Sequence, residues 1–325
     1  MSRRFMPLAA TLAVLIAGTL FCALQFPNFA STRVLGNLLT DNAFVGIAAV
    51  GMTFVILSGG IDLSVGSVIA FTTVFLAVAI EQLGIPPFLA FALVLAIAGL
   101  FGAAMGALIH WFRLPPFIVT LAGMFLARGA SFLLTTDSIP VNHPLYGELG
   151  DVAIRMAGGG RLSLVAMVML AVFAAGMVLA HLTRFGANVY AIGGNRVSAE
   201  LMGVPIARTT VGIYMLSSTL AGLAGIVFSL YTSAGYSLAA TGVELDTIAA
   251  VVIGGTLLTG GQGYVFGTFI GILIQGLIQT YITFDGTLSS WWTKIAVGVL
   301  LFAFIVLQRV LILGWSARPA TVARV

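Results

Sequence analysis

The chain has 325 residues, of which 60% are hydrophobic and 7% are charged, and its formal net charge is +4. Soluble domains carry about 25% charged residues, so this composition excludes a water-soluble globular protein. The positive balance does not indicate a nucleic-acid partner, because arginines that hold loops on the cytoplasmic side of a membrane explain it. With Cys22 as the only cysteine, a disulfide framework and a cysteine metal site are also excluded.

Ten apolar stretches follow one another along the chain, most of them near the roughly 20 residues that a helix needs to cross a bilayer. They cover residues 6–26, 41–58, 63–81, 87–110, 116–136, 162–182, 210–231, 246–258, 264–283 and 291–313. Backbone amides in lipid must be paired internally, and the alternating polarity of a membrane β-barrel is absent. The sequence therefore predicts an all-α polytopic membrane protein, with residues 1–325 in one transmembrane domain.

The basic residues predict the orientation, because loops rich in Lys and Arg stay in the cytoplasm. With a cytoplasmic N-terminus, nine of the 14 basic residues face the cytoplasm. These nine are Arg3, Arg4, Arg113, Arg184, Arg196, Arg208, Arg309, Arg318 and Arg324. We expect both termini and the polar loop 183–209 to be cytoplasmic, and the polar loop 137–161 to lie on the outer side.

An internal repeat relates residues 47–70 to residues 248–271, with nine of 24 aligned positions identical. The shared glycines are Gly59/Gly260, Gly60/Gly261 and Gly66/Gly267. In each copy an apolar run stops at a Gly-Gly pair and restarts at once. Short, glycine-broken segments at matching places in two halves predict a translocation path. Close packing of helices through small residues is the alternative interpretation.

The loop 183–209 contains a pattern typical of a short capped helix. Asn195 precedes the run 197–202, and Gly203 and Pro205 follow it. Such an amphipathic helix would suit docking into a groove on a partner protein. A plain connector remains the alternative.

Three motifs carry a resemblance to a known family. SGGIDLSVGS (58–67), YAIGGNRVSAELMGV (190–204) and IGGTLLTGGQGYVFGT (253–268) resemble the ribose/xylose-type permeases of bacterial ABC sugar importers. The stretches DNAFVGIAAVGMTFVILSGGIDLSVGSVIAF (41–71) and FDGTLSSWWTKIAVG (284–298) are similar to the permeases of galactofuranose importers.

The resemblance implies an inner-membrane, multi-pass subunit that pairs with a second permease, a paralogue of this chain. It also implies two further partners, a periplasmic sugar-binding protein and a cytoplasmic ATP-binding subunit. The loop that docks on the latter falls on Gly193, Gly194, Asn195, Arg196, Ala199, Glu200, Met202 and Gly203. We expect the small Ala199 to face the partner's groove. Glu200 departs from the small residue of many relatives, which leaves its role in docking open.

The residues favour a subunit that is not itself an enzyme. A phosphate-binding loop needs G-x-x-x-x-G-K-[ST], and the only lysine, Lys294, has no such motif around it. No Ser/His/Asp set, metal cluster or cofactor site emerges. ATP hydrolysis is therefore expected in another chain.

An ion-coupled secondary transporter is the alternative function, and a channel is a weaker one. Ion coupling usually places a carboxylate deep in a span, whereas the acids here lie at segment ends. We interpret Asp62, at the first Gly-Gly break, as the N-cap of the third span. An ion-coupling role for Asp62 is the less favoured alternative.

A sugar path needs hydrogen-bonding partners for hydroxyl groups and flat apolar faces. The candidates are Asn42, Ser64, Gln275, Gln279, Tyr281, Trp291 and Trp292. Gln275 and Gln279 share a helix face, and amides within a span are costly unless they meet water or partners. The two tryptophans also suit interfacial anchors. Arg128 falls within the fifth span and requires a partner that the sequence does not identify.

Overall fold

A computed structural model describes residues 6–316, with side-chain surroundings for residues 8–307. Arg3, Arg4, Arg318, Arg324 and the side chain of Arg309, on which the predicted orientation of the termini partly depends, lie outside this part. The described chain is mostly helical and has almost no sheet, which confirms the predicted all-α polytopic fold class.

Fourteen α-helices are present in the described part of the chain. In chain order they are α1 (Met6–Gln25), α2 (Thr32–Asp41), α3 (Ala43–Leu57), α4 (Val65–Ala77), α5 (Pro87–Trp111), α6 (Pro116–Leu134), α7 (Pro144–Asp151), α8 (Leu164–Leu182), α9 (Arg184–Gly194), α10 (Arg196–Leu201), α11 (Ile206–Thr232), α12 (Val243–Ile253), α13 (Val265–Asp285) and α14 (Trp291–Ser316). A π-helical turn, Val78–Gln82, extends α4. Proline occupies the first turn of α5, α6 and α7, where its missing N–H costs nothing.

Seven of the described helices are long and apolar enough to cross a membrane, or eight if α2 and α3 form one span bent by 58°. The predicted number was about ten. The count of seven or eight leaves out α14, which is apolar over Trp291–Leu307, and α12, whose 11 residues extend about 16 Å. Helix α12 covers only half of a hydrocarbon core of about 30 Å. The predicted eighth stretch is therefore a short, broken segment, as its Gly-Gly break indicated.

Helix α3 lies at the centre of the molecule, and 14 of its 15 residues are buried. It packs against α8, α11 and α12, while α11 also packs against α4 and α5. Large apolar side chains remain exposed on the outer helices, such as Leu100 on α5 and Leu133 on α6. Apolar surface of this extent suits contact with lipid.

The two copies of the repeat break at slightly different places. In the first, α3 ends at Leu57 and α4 begins at Val65. In the second, α12 ends at Ile253, five residues before the predicted end of the stretch, and α13 begins at Val265. The earlier end follows from Gly254 and Gly255, because Gly255 adopts a φ of +90° that terminates the helix.

Both polar loops contain more structure than predicted. The loop 137–161 includes α7 and opens into a hairpin of β2 (Ala153–Arg155) and β3 (Arg161–Ser163) around Gly158–Gly160. Strand β1 (Ile139–Pro140) pairs with β4 (Ala234–Gly235). The loop 183–209 contains the predicted capped helix as α10 and an additional helix, α9.

Candidate functional site

A polar cavity of about 490 Å³ opens between the start of α3 and the start of α14. Its volume is within the range of small-molecule sites. The lining combines carboxylates, amides, hydroxyls and an indole, contributed by Asp41, Asn42, Phe44, Val45, Tyr231, Val243, Asp246, Gln275, Gln279, Ser290, Trp291, Thr293, Lys294 and Val297. Such a set can donate to and accept from many hydroxyl groups at once.

Asp246 joins three of the helices around the cavity. Its carboxylate accepts from Lys294 Nζ of α14, at 2.6 Å to each oxygen. Its backbone carbonyl accepts from Gln275 Nε2 of α13 at 3.0 Å. Because Lys294 is about half exposed, this ion pair contributes little to stability, of the order of 0–1 kcal/mol. Because this weak ion pair lies at the cavity, it suits a contact that forms when the cavity closes and breaks when the cavity opens.

Four of the seven predicted sugar-path residues line this cavity: Asn42, Gln275, Gln279 and Trp291. Asn42 Nδ2 and Gln275 Nε2 already donate to backbone carbonyls of Leu38 and Asp246. Gln279 is exposed, and its side chain makes no hydrogen bond to a described residue. The structure thus leaves Gln279 and the exposed Trp291 most available to a ligand.

The other three predicted path residues lie elsewhere. Tyr281 packs among Phe21 and Phe26, with ring centroids 6.0 and 5.4 Å away. Trp292 is next to Trp291 but does not line the cavity. Ser64 is fully buried beside Asp62. The structure does not bring these side chains to the cavity.

The interpretation of Asp62 as a helix N-cap is wrong. Ser64 is the residue that precedes α4, and Asp62 lies two residues earlier in the break. Asp62 is fully buried, and its carboxylate accepts from Ser64 N at 2.9 Å, Ser64 Oγ at 2.6 Å and Ser217 Oγ at 2.7 Å. The bond to Ser217 fixes the broken segment to α11, and Asp62 lies between the end of α3 and the start of α4, at the break where it was expected.

Helices α9 and α10 form one compact unit at the opposite end of α3 from the cavity. Asn195 caps α10 by accepting from Ser198 N at 2.8 Å, as predicted. Gly203 adopts a φ of +81° directly after the helix, which confirms the predicted termination. Arg196, at the start of α10, is exposed and lies 3.3 Å from His110 Nδ1.

Ala199 does not face outward, contrary to prediction. It is fully buried and packs with Ile192 and Ile206 of the same chain. The side of α10 opposite Ala199 is exposed. The apolar side chains there are those of Val197, Leu201 and Met202, which are 67, 84 and 73% exposed. Together with Glu200 they define an outer face of α10, which we call the α10 face.

Three Gly-Gly pairs that are far apart in sequence meet at one point. Gly261 N donates to Leu57 O at 2.8 Å, next to the pair Gly59-Gly60. A Cβ on Gly260 would lie 2.8 Å from Gly59 N, and one on Gly193 would lie 1.8 Å from Leu57 O. Backbones can approach this closely only where side chains are absent. We call this contact, made by Gly59, Gly60, Gly193, Gly194, Gly260 and Gly261, the glycine junction.

The glycine junction connects the α10 face to the cavity through rigid helices. Helix α9 carries Gly193 and leads directly into α10. Helix α3 extends about 22 Å from the junction to the cavity, and α13 connects the same two regions. The hydroxyls of Thr53 and Thr268 join α3 to α13 at 2.8 Å in the buried interior. A displacement at α9 can therefore reach both cavity walls.

The packing interpretation of the repeat glycines holds for part of the repeat, and the translocation path stays a prediction. Gly267 and Gly271 pack α13 against α12, because a Cβ would lie 2.1 Å from Gly254 O and 2.0 Å from Ala250 O. The pairs Gly59-Gly60 and Gly260-Gly261 instead form the breaks at the junction. Within the same repeat, some glycines allow close helix packing and others lie where the helices are interrupted.

Arg128 finds its partners in the loop before α12. Its Nη1 donates to Ser237 O at 2.6 Å and to Ala239 O at 2.8 Å. These bonds satisfy a guanidinium within a span and fix the segment that leads to α12. Arg128 is therefore best explained as a structural support.

Asp41, Tyr231, Asp246 and Lys294 line the cavity without having been predicted there. Tyr231 Oη donates to Asp41 Oδ1 at 3.0 Å. The repeat could have predicted part of this lining. Its two copies enter the membrane in the same direction, so their first helices, α3 and α12, begin at the same end of the molecule. Asp41 and Asp246 both lie near those beginnings, so their proximity follows from the repeat.

Comparison with known proteins identifies relatives over almost the full length. The family model described as the branched-chain amino acid transport system / permease component matches residues 34–305. The inner membrane ABC transporter permease protein YjfF of Escherichia coli (strain K12) is 63% identical over 321 residues, which cover 99% of this chain and 97% of that protein. No solved structure matches.

The names of two further relatives state the sugar that they import. The fructose import permease protein FruG of Bifidobacterium longum (strain NCC 2705) is 38% identical over 95% of this chain and 92% of its own length. The ribose import permease protein RbsC of Escherichia coli (strain K12) is 38% identical over 86% of this chain and 87% of its own length.

Proposed function

Because the chain belongs to the family of branched-chain amino acid transport system permease components, we propose that it is the membrane-spanning permease subunit of an ATP-driven sugar importer. The observation that carries this proposal is the glycine junction, which connects an exposed apolar helix at one end of the molecule to a polar cavity at the other. This arrangement suits a subunit that receives mechanical work from a partner and uses it to open and close a path.

We assign the α10 face to the ATP-binding subunit. Three exposed apolar side chains, two on this short helix and Met202 directly after it, favour a protein partner, since helix-in-groove contacts use an apolar face of this kind. ATP would then be hydrolysed by the ATP-binding subunit. The partner's motion would pass through α9 and the junction to α3 and α13, and the cavity would change the side to which it opens.

We assign the polar cavity to the sugar. Its amides and carboxylates match hydroxyl groups, and Trp291 supplies a flat apolar face. The named relatives import fructose and ribose, which supports a monosaccharide cargo over an amino acid. The motif resemblance narrows the proposal to galactofuranose, delivered by a periplasmic binding protein.

We further propose that residues 1–325 act as one permease domain in the bacterial inner membrane, with cytoplasmic termini and a cytoplasmic loop 183–209. A second permease, a paralogue of this chain, would complete the path. Lys294 and Asp246 would then close the cavity from the outer side until sugar arrives.

Replacing Gln279 by alanine should lower sugar uptake about tenfold at limiting sugar, the effect of one lost hydrogen bond of about 1.4 kcal/mol. The side chain borders the cavity and makes no hydrogen bond to a described residue, so the stability of the chain should not change. Uptake of labelled galactofuranose by proteoliposomes containing the whole complex measures the effect.

Thr283→Ala is the matched control, because Thr283 lies one turn further along α13 and outside the cavity lining. Its uptake should equal that of the unchanged protein. Equal uptake by the Gln279 variant would remove this residue from the sugar site.

A further inference from the structure

A second cavity of about 490 Å³ lies where two apolar segments end, and it shares no lining residue with the sugar cavity. The candidate span Val65–Gln82 contributes Ile80 to its lining, and the candidate span Pro87–Trp111 contributes Pro87 and Phe88. In a membrane, the ends of two spans lie at the boundary between the hydrocarbon core and the lipid headgroups. We call this cavity the boundary cavity.

The part of the lining that leads into α5 is apolar and fixed in shape. It consists of Ile85, Pro86, Pro87 and Phe88, and the pyrrolidine rings restrict the backbone of the two prolines. Phe88 is 67% exposed, and Leu83, just before this segment, is 68% exposed. Exposed apolar side chains at the end of a span suit contact with lipid acyl chains.

The two polar side chains of the lining are those of His143 and Glu148. His143 Nδ1 accepts from Leu145 N at 3.2 Å, so the hydrogen of the neutral imidazole lies on Nε2, where it can be donated to a ligand. The Glu148 carboxylate makes no hydrogen bond or ion pair to a described residue. Glu81, a nearby carboxylate, already accepts from Asn142 N at 2.7 Å and from His143 N at 3.1 Å. The cavity therefore offers one donor and one free carboxylate beside an apolar segment.

We propose that the boundary cavity binds the headgroup of one phospholipid whose phosphate carries a primary ammonium, as in phosphatidylethanolamine. The ammonium donates to Glu148, His143 Nε2 donates to a phosphate oxygen, and the acyl chains extend along Phe88. This inference goes beyond the proposed function and does not depend on it, because it concerns the surrounding lipid and not the cargo.

The other common headgroups match the lining less well. An anionic headgroup would be repelled by Glu148, and no lysine or arginine of the described residues lines the cavity to balance it. A quaternary choline has no N–H to donate to the carboxylate. Sites for quaternary ammonium use a cage of aromatic rings, whereas this lining contains the single phenyl ring of Phe88.

The boundary cavity is joined to the interior of the protein through α7. The hydroxyls of Tyr146 on α7 and Ser229 on α11 are 3.1 Å apart and buried. The ring of Tyr146 also lies near that of Phe91 on α5, with centroids 6.4 Å apart. A lipid that bridges Phe88 and Glu148 therefore holds α5 and α7 together beside α11.

The variant Glu148→Gln tests the proposal, because it removes the charge of an exposed side chain and keeps its size. The purified full chain in detergent is mixed with equal amounts of phosphatidylethanolamine, phosphatidylcholine and phosphatidylglycerol that carry the same acyl chains. Native mass spectrometry measures the lipid that stays bound. We expect the unchanged chain to retain about ten times more phosphatidylethanolamine than phosphatidylcholine, the effect of one hydrogen bond to a charged group. The Glu148 variant should retain these two lipids about equally.

Asp151→Asn is the matched control, because Asp151 is an exposed acid on the same helix and lies outside the cavity lining. It should keep the preference for phosphatidylethanolamine. An equal preference in the Glu148 variant and the unchanged chain would overturn the proposal. So would an unchanged chain that retains phosphatidylcholine or phosphatidylglycerol as well as phosphatidylethanolamine. Loss of the preference in both variants would also overturn it, because the carboxylates would then act only through overall surface charge.

Discussion

Replacing Gly193 by alanine is expected to destabilise the chain by about 1–3 kcal/mol and to abolish sugar uptake. The new methyl group would lie 1.8 Å from Leu57 O and 2.5 Å from Gly261 N, both of them backbone atoms that cannot rotate away. The glycine junction would have to open, and α9 would separate from both broken segments. Thermal unfolding in detergent and uptake by the reconstituted complex measure the two effects.

Gly194→Ala is the matched control for this prediction. Gly194 is the next residue of the same helix, but a Cβ there meets no atom within 4 Å. We therefore expect normal stability and uptake. If the Gly193 and Gly194 variants have the same stability and the same uptake, the close backbone approach at Gly193 is not needed for function.

Replacing Leu201 by arginine is expected to release the ATP-binding subunit while the permease remains folded. Leu201 is 84% exposed on the α10 face, so the change should alter the stability of the isolated chain by no more than about 0.5 kcal/mol. In a docked groove the same side chain would bury an unpaired charge, at a cost of about 3–5 kcal/mol of association. Co-purification of the ATP-binding subunit with a tagged permease measures the loss.

Gly150→Arg on α7 provides the control, because a Cβ there meets open space and the residue is exposed far from α10. It should retain the ATP-binding subunit. Ala199→Arg is unsuitable for this test, since Ala199 is buried against Ile192 and Ile206 and the change would disrupt the loop itself. Full retention of the subunit by the Leu201 variant would exclude the α10 face as the docking surface.

The sequence predicted those features that depend on composition and local pattern. Low charge and long apolar runs predicted the helical membrane fold, and Asn195 and Gly203 predicted the limits of α10. Features that depend on packing were missed. Whether Ala199 points inward depends on Ile192 and Ile206, and the pattern of so short a helix does not distinguish its two sides.

The glycine pairs show the same difference between features that follow from local sequence and features that depend on packing. The pairs Gly59-Gly60 and Gly260-Gly261 predicted that each copy of the repeat is broken, although α12 ends earlier, at Ile253. The meeting of these pairs with Gly193-Gly194 depends on how α9, the α3–α4 segment and the α12–α13 segment pack together. Asp62 was misinterpreted for a related reason. Its position before α4 suggested a cap, whereas its carboxylate accepts from the nearby Ser64 and also from Ser217, which lies 155 residues away on α11. Contacts between such distant residues leave no local signal in a single sequence.

The most direct test of the central claim is sugar uptake by proteoliposomes that contain the assembled complex and its binding protein, with ATP held constant inside. Ionophores remove the proton and sodium gradients during the measurement. Uptake should require ATP and continue unchanged without either gradient if, as proposed, the ATP-binding subunit supplies the energy through the α10 face. Uptake that stops when a gradient collapses, or that proceeds without ATP, would contradict the account and favour an ion-coupled transporter.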